Sequence, residues 1–110
     1  MDNLAIQIGP EELSRRLEAG ETIQLLDVRE VWEHEIARIE GARLIPLGEL
    51  PERAGELDPE KPLVVYCHLG VRSFQAVVWL RHQGFSLAQN LAGGIDCWSQ
   101  VIDPMVVRYQ

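Results

Sequence analysis

Short apolar runs alternate with helix-forming segments along nearly the whole chain, and this alternation constrains the fold more than any other feature. Gly9-Pro10-Glu11-Glu12 reads as a helix start, with proline at the first helical position and acids facing the positive end of the dipole. Leu13 and Leu17 then supply an apolar stripe, and Gly20 closes the helix. Ile23–Val28 suits a buried strand, Val31–Ile36 a short helix with Trp32 and Ile36 on one face, and Arg43–Ile45 a brief strand stopped by Pro46. Leu47–Arg53 is a weak helical turn, and Leu57–Pro62 a loop, since Pro59 and Pro62 forbid a regular element. Leu63-Val64-Val65-Tyr66 is the clearest strand. Beyond Cys67–Arg72, Ser73–Gln83 is the best helix, with Ser73 as cap, Ala76, Val77 and Leu80 on one face, and Gly84 as terminator. Ala88–Leu91 is a last strand, and Gly93-Gly94 opens a final helix through Trp98. Such alternation predicts an α/β fold with a mainly parallel sheet, whose ligands bind beyond the carboxyl ends of the strands.

Composition narrows the function. Ten basic against seventeen acidic residues give a net charge of -7, and the arginines are scattered, so no basic surface for nucleic acid is expected. No apolar run is long enough to span a bilayer, and Met1-Asp2-Asn3 lacks the basic and apolar regions of a signal peptide. Cys67 and Cys97 are too far apart to form a zinc-type pair, and no nucleotide-binding glycine motif occurs, so neither metal nor cofactor is expected. The expectation is one cytoplasmic domain over residues 1–110, with a core of about 8–100 and a tail at 101–110, its thiols reduced.

Cys67 stands where the strongest strand ends and the best helix is about to begin. A loop at such a junction points several backbone N–H groups into one small space, and the helix dipole adds a positive field. Gly70 allows a tight bend and Arg72 brings a full charge. A thiol in such a cradle is set up to react as the thiolate, and a persulfide anion on that sulfur would use the same donors. The plainer reading is that Cys67 is a small buried apolar residue. The conjunction of strand, cysteine, glycine turn and Arg-Ser at the helix entrance favours chemistry.

Cys67-His68-Leu69-Gly70-Val71-Arg72-Ser73 resembles the active loop of rhodanese domains. Asp27-Val28-Arg29-Glu30 resembles the first motif of that family, Gly41-Ala42 with Ile45-Pro46 a second, and Gly93-Gly94-Ile95 with Trp98 the closing one. All stand in family order. The resemblance implies a three-layer fold of about five strands with helices on both faces. It also implies sulfane-sulfur transfer through a persulfide on Cys67, with His68, Leu69, Gly70, Val71, Arg72 and Ser73 forming the substrate cradle and Asp27 and Arg29 supporting it. The implied donors are thiosulfate or a persulfide, and the acceptors cyanide, a thiol or a sulfur-carrier protein. In relatives the interval from cysteine to arginine separates chemistries. The four residues here, His68 to Val71, match the sulfur-transferring branch, whereas the phosphatase and arsenate-reductase branch has one more. A non-catalytic binding or regulatory module is the alternative, although such units typically lose the cysteine. Ala37–Ala42 lacks the glycine, histidine and proline common before the third strand, and the loop has one Arg and one His where some thiosulfate-using members have two cations, which points away from thiosulfate as a good donor. The run Trp98-Ser99, Ile102-Asp103-Pro104 and Tyr109 resembles the end of rhodanese domains fused behind adenylyltransferases that charge sulfur carriers.

Other residues carry two readings each. Cys97 is either a resolving thiol or, as favoured here, a small residue packed before Trp98. His68 either helps hold an anion or is an exposed loop residue. His34 and His82 are expected on solvated helix faces. Asp27 is expected to accept backbone N–H bonds and Arg29 to pair with a nearby acid such as Glu33. Arg72 is either a ligand to the incoming anion or the partner of an internal carboxylate.

Overall fold

A computed structural model describes residues 4–110. Met1–Asn3, on which the expectation about a signal peptide was based, lie outside the described residues. Five strands form one sheet: β1 (Gln7–Ile8), β2 (Gln24–Asp27), β3 (Arg43–Leu44), β4 (Leu63–Tyr66) and β5 (Ala88–Leu91). Their order is β1-β5-β4-β2-β3, and every pairing is parallel. The helices are α1 (Pro10–Glu18), α2 (Val31–Ile36), α3 (Leu50–Arg53), α4 (Val71–His82) and α5 (Gly94–Val101), with short 3-10 turns on either side of α3.

Strand alternation builds two cores. Leu25, Val64 and Tyr66 face one side of the sheet, where they pack with Leu13 of α1 and Ile95 and Trp98 of α5. Leu26, Val65 and Cys67 face the other, with Leu50 of α3 and Ala76, Val77 and Leu80 of α4. A parallel sheet covered on both faces requires this two-sided apolar patterning. Among the described residues no helix is long and apolar enough to cross a membrane.

Two local expectations are corrected. Gln7–Ile8 forms an edge strand that was not anticipated; its neighbour's Asn90 and Ala92 N–H groups donate to the Ile6 and Ile8 carbonyls. Helix α4 begins two residues before Ser73, because Gly70 at φ 103° takes the cap position and turns the chain into the helix at once. On α2, Trp32 and Ile36 are both exposed, and the buried residue is Glu33. Glu30 and Glu33 close a reciprocal capping box at the start of α2, and this fixes the Glu33 carboxylate toward the sheet end.

Candidate active site

Cys67 follows β4 directly and is 1% exposed. Its sulfur accepts three hydrogen bonds: from the Gly70 N–H at 3.1 Å, the Ser73 N–H at 3.3 Å and the Ser73 hydroxyl at 3.2 Å. Donors from the loop and the first turn of α4 thus converge on one atom, the arrangement that suits an anionic sulfur. Ser73, read as a helix cap, turns its hydroxyl onto the sulfur instead, and no side chain caps α4.

The loop is gripped from below by α5. The Ile95 N–H donates to the Cys67 carbonyl at 2.9 Å and the Asp96 N–H to the His68 carbonyl at 3.1 Å. Gly94, at φ 64°, makes this approach possible, since a Cβ there would collide with the carbonyls of both Cys67 and His68. The closing Gly-Gly motif is therefore a contact surface for the Cys67–Ser73 loop as well as a helix start. Asn90 Nδ2 adds a bond to the Gly70 carbonyl at 3.1 Å.

Two ion pairs flank the cradle, and the acid suggested for Arg29 is held by Arg72. Arg29 is fully buried and pairs with Asp27, through Nε to Oδ1 at 2.8 Å and Nη2 to Oδ2 at 2.7 Å. It does not pair with Glu33. Burial opposes the charge on Arg29, but the hydrogen bonds to Asp27 and Tyr109 overcome it and hold the guanidinium charged. Glu33 belongs to Arg72, which grips it with two nearly parallel bonds of 2.8 and 2.9 Å. That grip, aided by the Glu30 N–H and Tyr109 and opposed by burial, lowers the Glu33 carboxyl to about 2. Of the two readings of Arg72, the structure shows the partner of an internal carboxylate. The acid lies on α2, 39 positions upstream in sequence.

His34 is corrected as well. Its Nδ1 lies 2.9 Å from Asp27 Oδ2 and its side chain is mostly buried, whereas His82 is exposed as expected. His68 stacks on the Tyr109 ring with centroids 4.1 Å apart, and its Nε2 is shielded from solvent with no hydrogen-bond partner. Leu69 and Val71 are exposed on the outer side of the loop. Cys97 is partly buried and packs over Gly93, and none of the three hydrogen bonds on the Cys67 sulfur comes from it. Among the described residues no group of His, Cys, Asp and Glu is arranged to hold a metal ion. The site thus gathers Cys67, the loop through Ser73, Asp27 and Arg29. It adds Glu33, Gly94 and Tyr109, which sequence reasoning did not assign to it.

With this geometry the family can be stated. The rhodanese-like domain family model matches residues 9–101, and the chain belongs to that family. It is 36% identical over 100 residues to a sulfurtransferase of Allochromatium vinosum, covering 91% of this chain and 94% of that protein. It is 38% identical over 104 residues to the probable adenylyltransferase/sulfurtransferase MoeZ of Mycobacterium tuberculosis, covering 93% of this chain but 26% of that protein. The chain likewise spans 30% of a rhodanese-like/PpiC domain-containing chloroplast protein of Arabidopsis thaliana. Among solved structures, the human single-domain sulfurtransferase TSTD1 superposes with a TM-score of 0.77 at 33% identity, over 89% of this chain and 98% of that one.

Proposed function

We propose that this chain is a sulfurtransferase that carries sulfane sulfur on Cys67. The observation that carries the reading is the convergence of three donors on a buried cysteine sulfur at a strand-to-helix junction. Relatives of similar length bearing the name sulfurtransferase support it. The Cys67 thiolate attacks the outer sulfur of thiosulfate; the sulfur–sulfur bond breaks, and sulfite leaves with its electron pair. The Cys67 persulfide then rests as an anion in the loop that carries the Gly70 and Ser73 donors. An acceptor nucleophile, cyanide or a thiolate, attacks the terminal sulfur and returns Cys67 as thiolate. A persulfide donor enters by the same steps with a thiolate as leaving group.

His68, Leu69, Gly70, Val71, Arg72 and Ser73 form the cradle, with Arg72 acting from its fixed place against Glu33 and Asp27 and Arg29 holding the neighbouring strand end. The relatives named adenylyltransferase/sulfurtransferase and putative sulfur carrier protein support a protein as donor or acceptor. Two free cysteines fit a reducing compartment such as the cytoplasm. Thiosulfate:cyanide turnover measured on the intact chain and on Cys67→Ser tests the reading. Wild-type turnover that disappears in Cys67→Ser is expected, because an alcohol neither ionises near neutrality nor holds sulfane sulfur. Turnover retained in Cys67→Ser rejects it.

A further inference from the structure

The last residues of the chain return across the carboxyl end of the sheet, outside the span 9–101 that the family model matches. Arg108 pairs with Asp96 at 2.9 Å, and Tyr109 comes to rest between the two ion pairs beside the reactive loop. The Tyr109 hydroxyl accepts a bond from Arg29 Nη1 and donates one to Glu33 Oε2, each 2.7 Å long. Glu33 Oε2 is also the oxygen held by Arg72 Nη2. The ring stacks on His68 at an interplanar angle of 14°, with Trp32 against it edge-on at 6.1 Å. One side chain therefore joins Asp27–Arg29 to Glu33–Arg72 and also fixes the residue that follows Cys67.

We propose that Tyr109 is a positioning residue for the Cys67 cradle, and that it sets how readily the loop receives an anionic sulfur donor. The physical argument is local. Glu33 is the nearest fixed negative charge on the network that holds Arg72, and the phenol hydroxyl gives its carboxylate an additional donor. Removing that hydroxyl leaves more uncompensated negative charge beside a site that an anion must enter, and leaves a buried Arg29 N–H without its acceptor. Removing the ring as well frees His68. Burial, with the Glu33 charge, pushes the Tyr109 phenol up to about 12 against the pull of Arg29, so it stands as a donor throughout the neutral range. The identity of the donor rests on the sulfur-transfer reading; the placement of Tyr109 rests on geometry alone.

The test uses the full chain as wild type, Tyr109→Phe and Tyr109→Ala. Thiosulfate turnover gives KM and kcat, and thermal melting reports the fold. A third measurement, independent of sulfur chemistry, is the rate of Cys67 alkylation by anionic iodoacetate relative to neutral iodoacetamide, read in a Cys97→Ser background. Tyr109→Phe is expected to raise KM for thiosulfate about fivefold, the worth of one hydrogen bond, with kcat nearly unchanged. The iodoacetate-to-iodoacetamide ratio is expected to fall about threefold in the same variant. Tyr109→Ala is expected to show both effects and a lower kcat. Unchanged KM and an unchanged alkylation ratio in Tyr109→Phe would overturn the proposal and leave Tyr109 a mere strap, whatever the melting temperatures. If the wild type turns over neither thiosulfate nor a low-molecular-weight persulfide, that counts against the sulfur-transfer reading, and the alkylation ratio still decides the role of Tyr109. If Tyr109→Ala does not fold, Tyr109→Phe decides alone.

Discussion

Replacing Arg72 with alanine is expected to destabilise the fold and to flatten its acid dependence, because Arg72 answers a buried carboxylate. The Glu33 side chain is 5% exposed and Arg72 36%. A carboxyl lowered from 4.5 to about 2 gains about 3 kcal/mol from its surroundings at neutral pH, at roughly 1.4 kcal/mol per pH unit. Arg72 supplies the largest share; solvent at its exposed flank screens the pair, which brings the expected loss to about 2 kcal/mol. The sign follows from the depressed carboxyl. Its contribution is fully present above the unfolded value near 4.5 and is lost as pH falls through about 2. Urea unfolding followed by tryptophan fluorescence between pH 7 and pH 2.5 measures both quantities. The wild type should lose stability from this group below about pH 4.5, while Arg72→Ala should start lower and lose less over the same window. Equal stability at pH 7, or parallel curves down to pH 2.5, would refute the assignment of Glu33 as the partner that Arg72 neutralises.

Gly94→Ala should cost at least about 2 kcal/mol and slow donor loading, since a Cβ at φ 64° meets the Cys67 and His68 carbonyls; urea midpoints against Gly48→Ala, where the space is open, check this. Cys97→Ser should keep most of the turnover, because Cys97 packs over Gly93 and supplies none of the three hydrogen bonds on the Cys67 sulfur; loss of all activity would make it a resolving thiol. Cys67-dependent release from a chromogenic aryl phosphate should be far slower than sulfur transfer. With four residues from His68 to Val71 the donors close on a single sulfur, and phosphate release that outpaces sulfur transfer would reject this reading of the interval.

The Cys67–Ser73 loop is legible because it is contiguous: strand, cysteine, glycine turn and helix lie within one stretch, and their geometry follows from local rules. Even there Ser73 is not the cap, since a serine near a helix start signals a cap unless a glycine upstream has already turned the chain, as Gly70 does; its place in the cradle is as the resemblance implies. The two-residue strand Gln7–Ile8 offers no period to detect, and it exists because β5 presents an open edge to it. That Glu33 goes to Arg72 and not to Arg29 depends on which way a six-residue helix turns it, a choice made by its capping box and the sheet end. A Glu-x-x-Glu start is a weak signal for that box, because Ser, Thr, Asp or Asn more commonly fills the first position. The place of His34 is not legible in the sequence, because helix position alone does not reveal that the Asp27 carboxylate lies against it. Tyr109 was noticed only as part of a tail resemblance, and its place beside His68 is set by tertiary packing across 41 positions, shown by the ring stack and not by any local pattern.

The most direct test of the central claim is the intact mass of the protein after brief incubation with thiosulfate or a low-molecular-weight persulfide and removal of the donor. The account predicts a gain of one sulfur atom, located on Cys67 by peptide mapping, absent from Cys67→Ser and reversed by cyanide with release of thiocyanate. A protein that gains no sulfur from either donor, or gains it equally in Cys67→Ser, would contradict the claim that the cradle exists to carry sulfur.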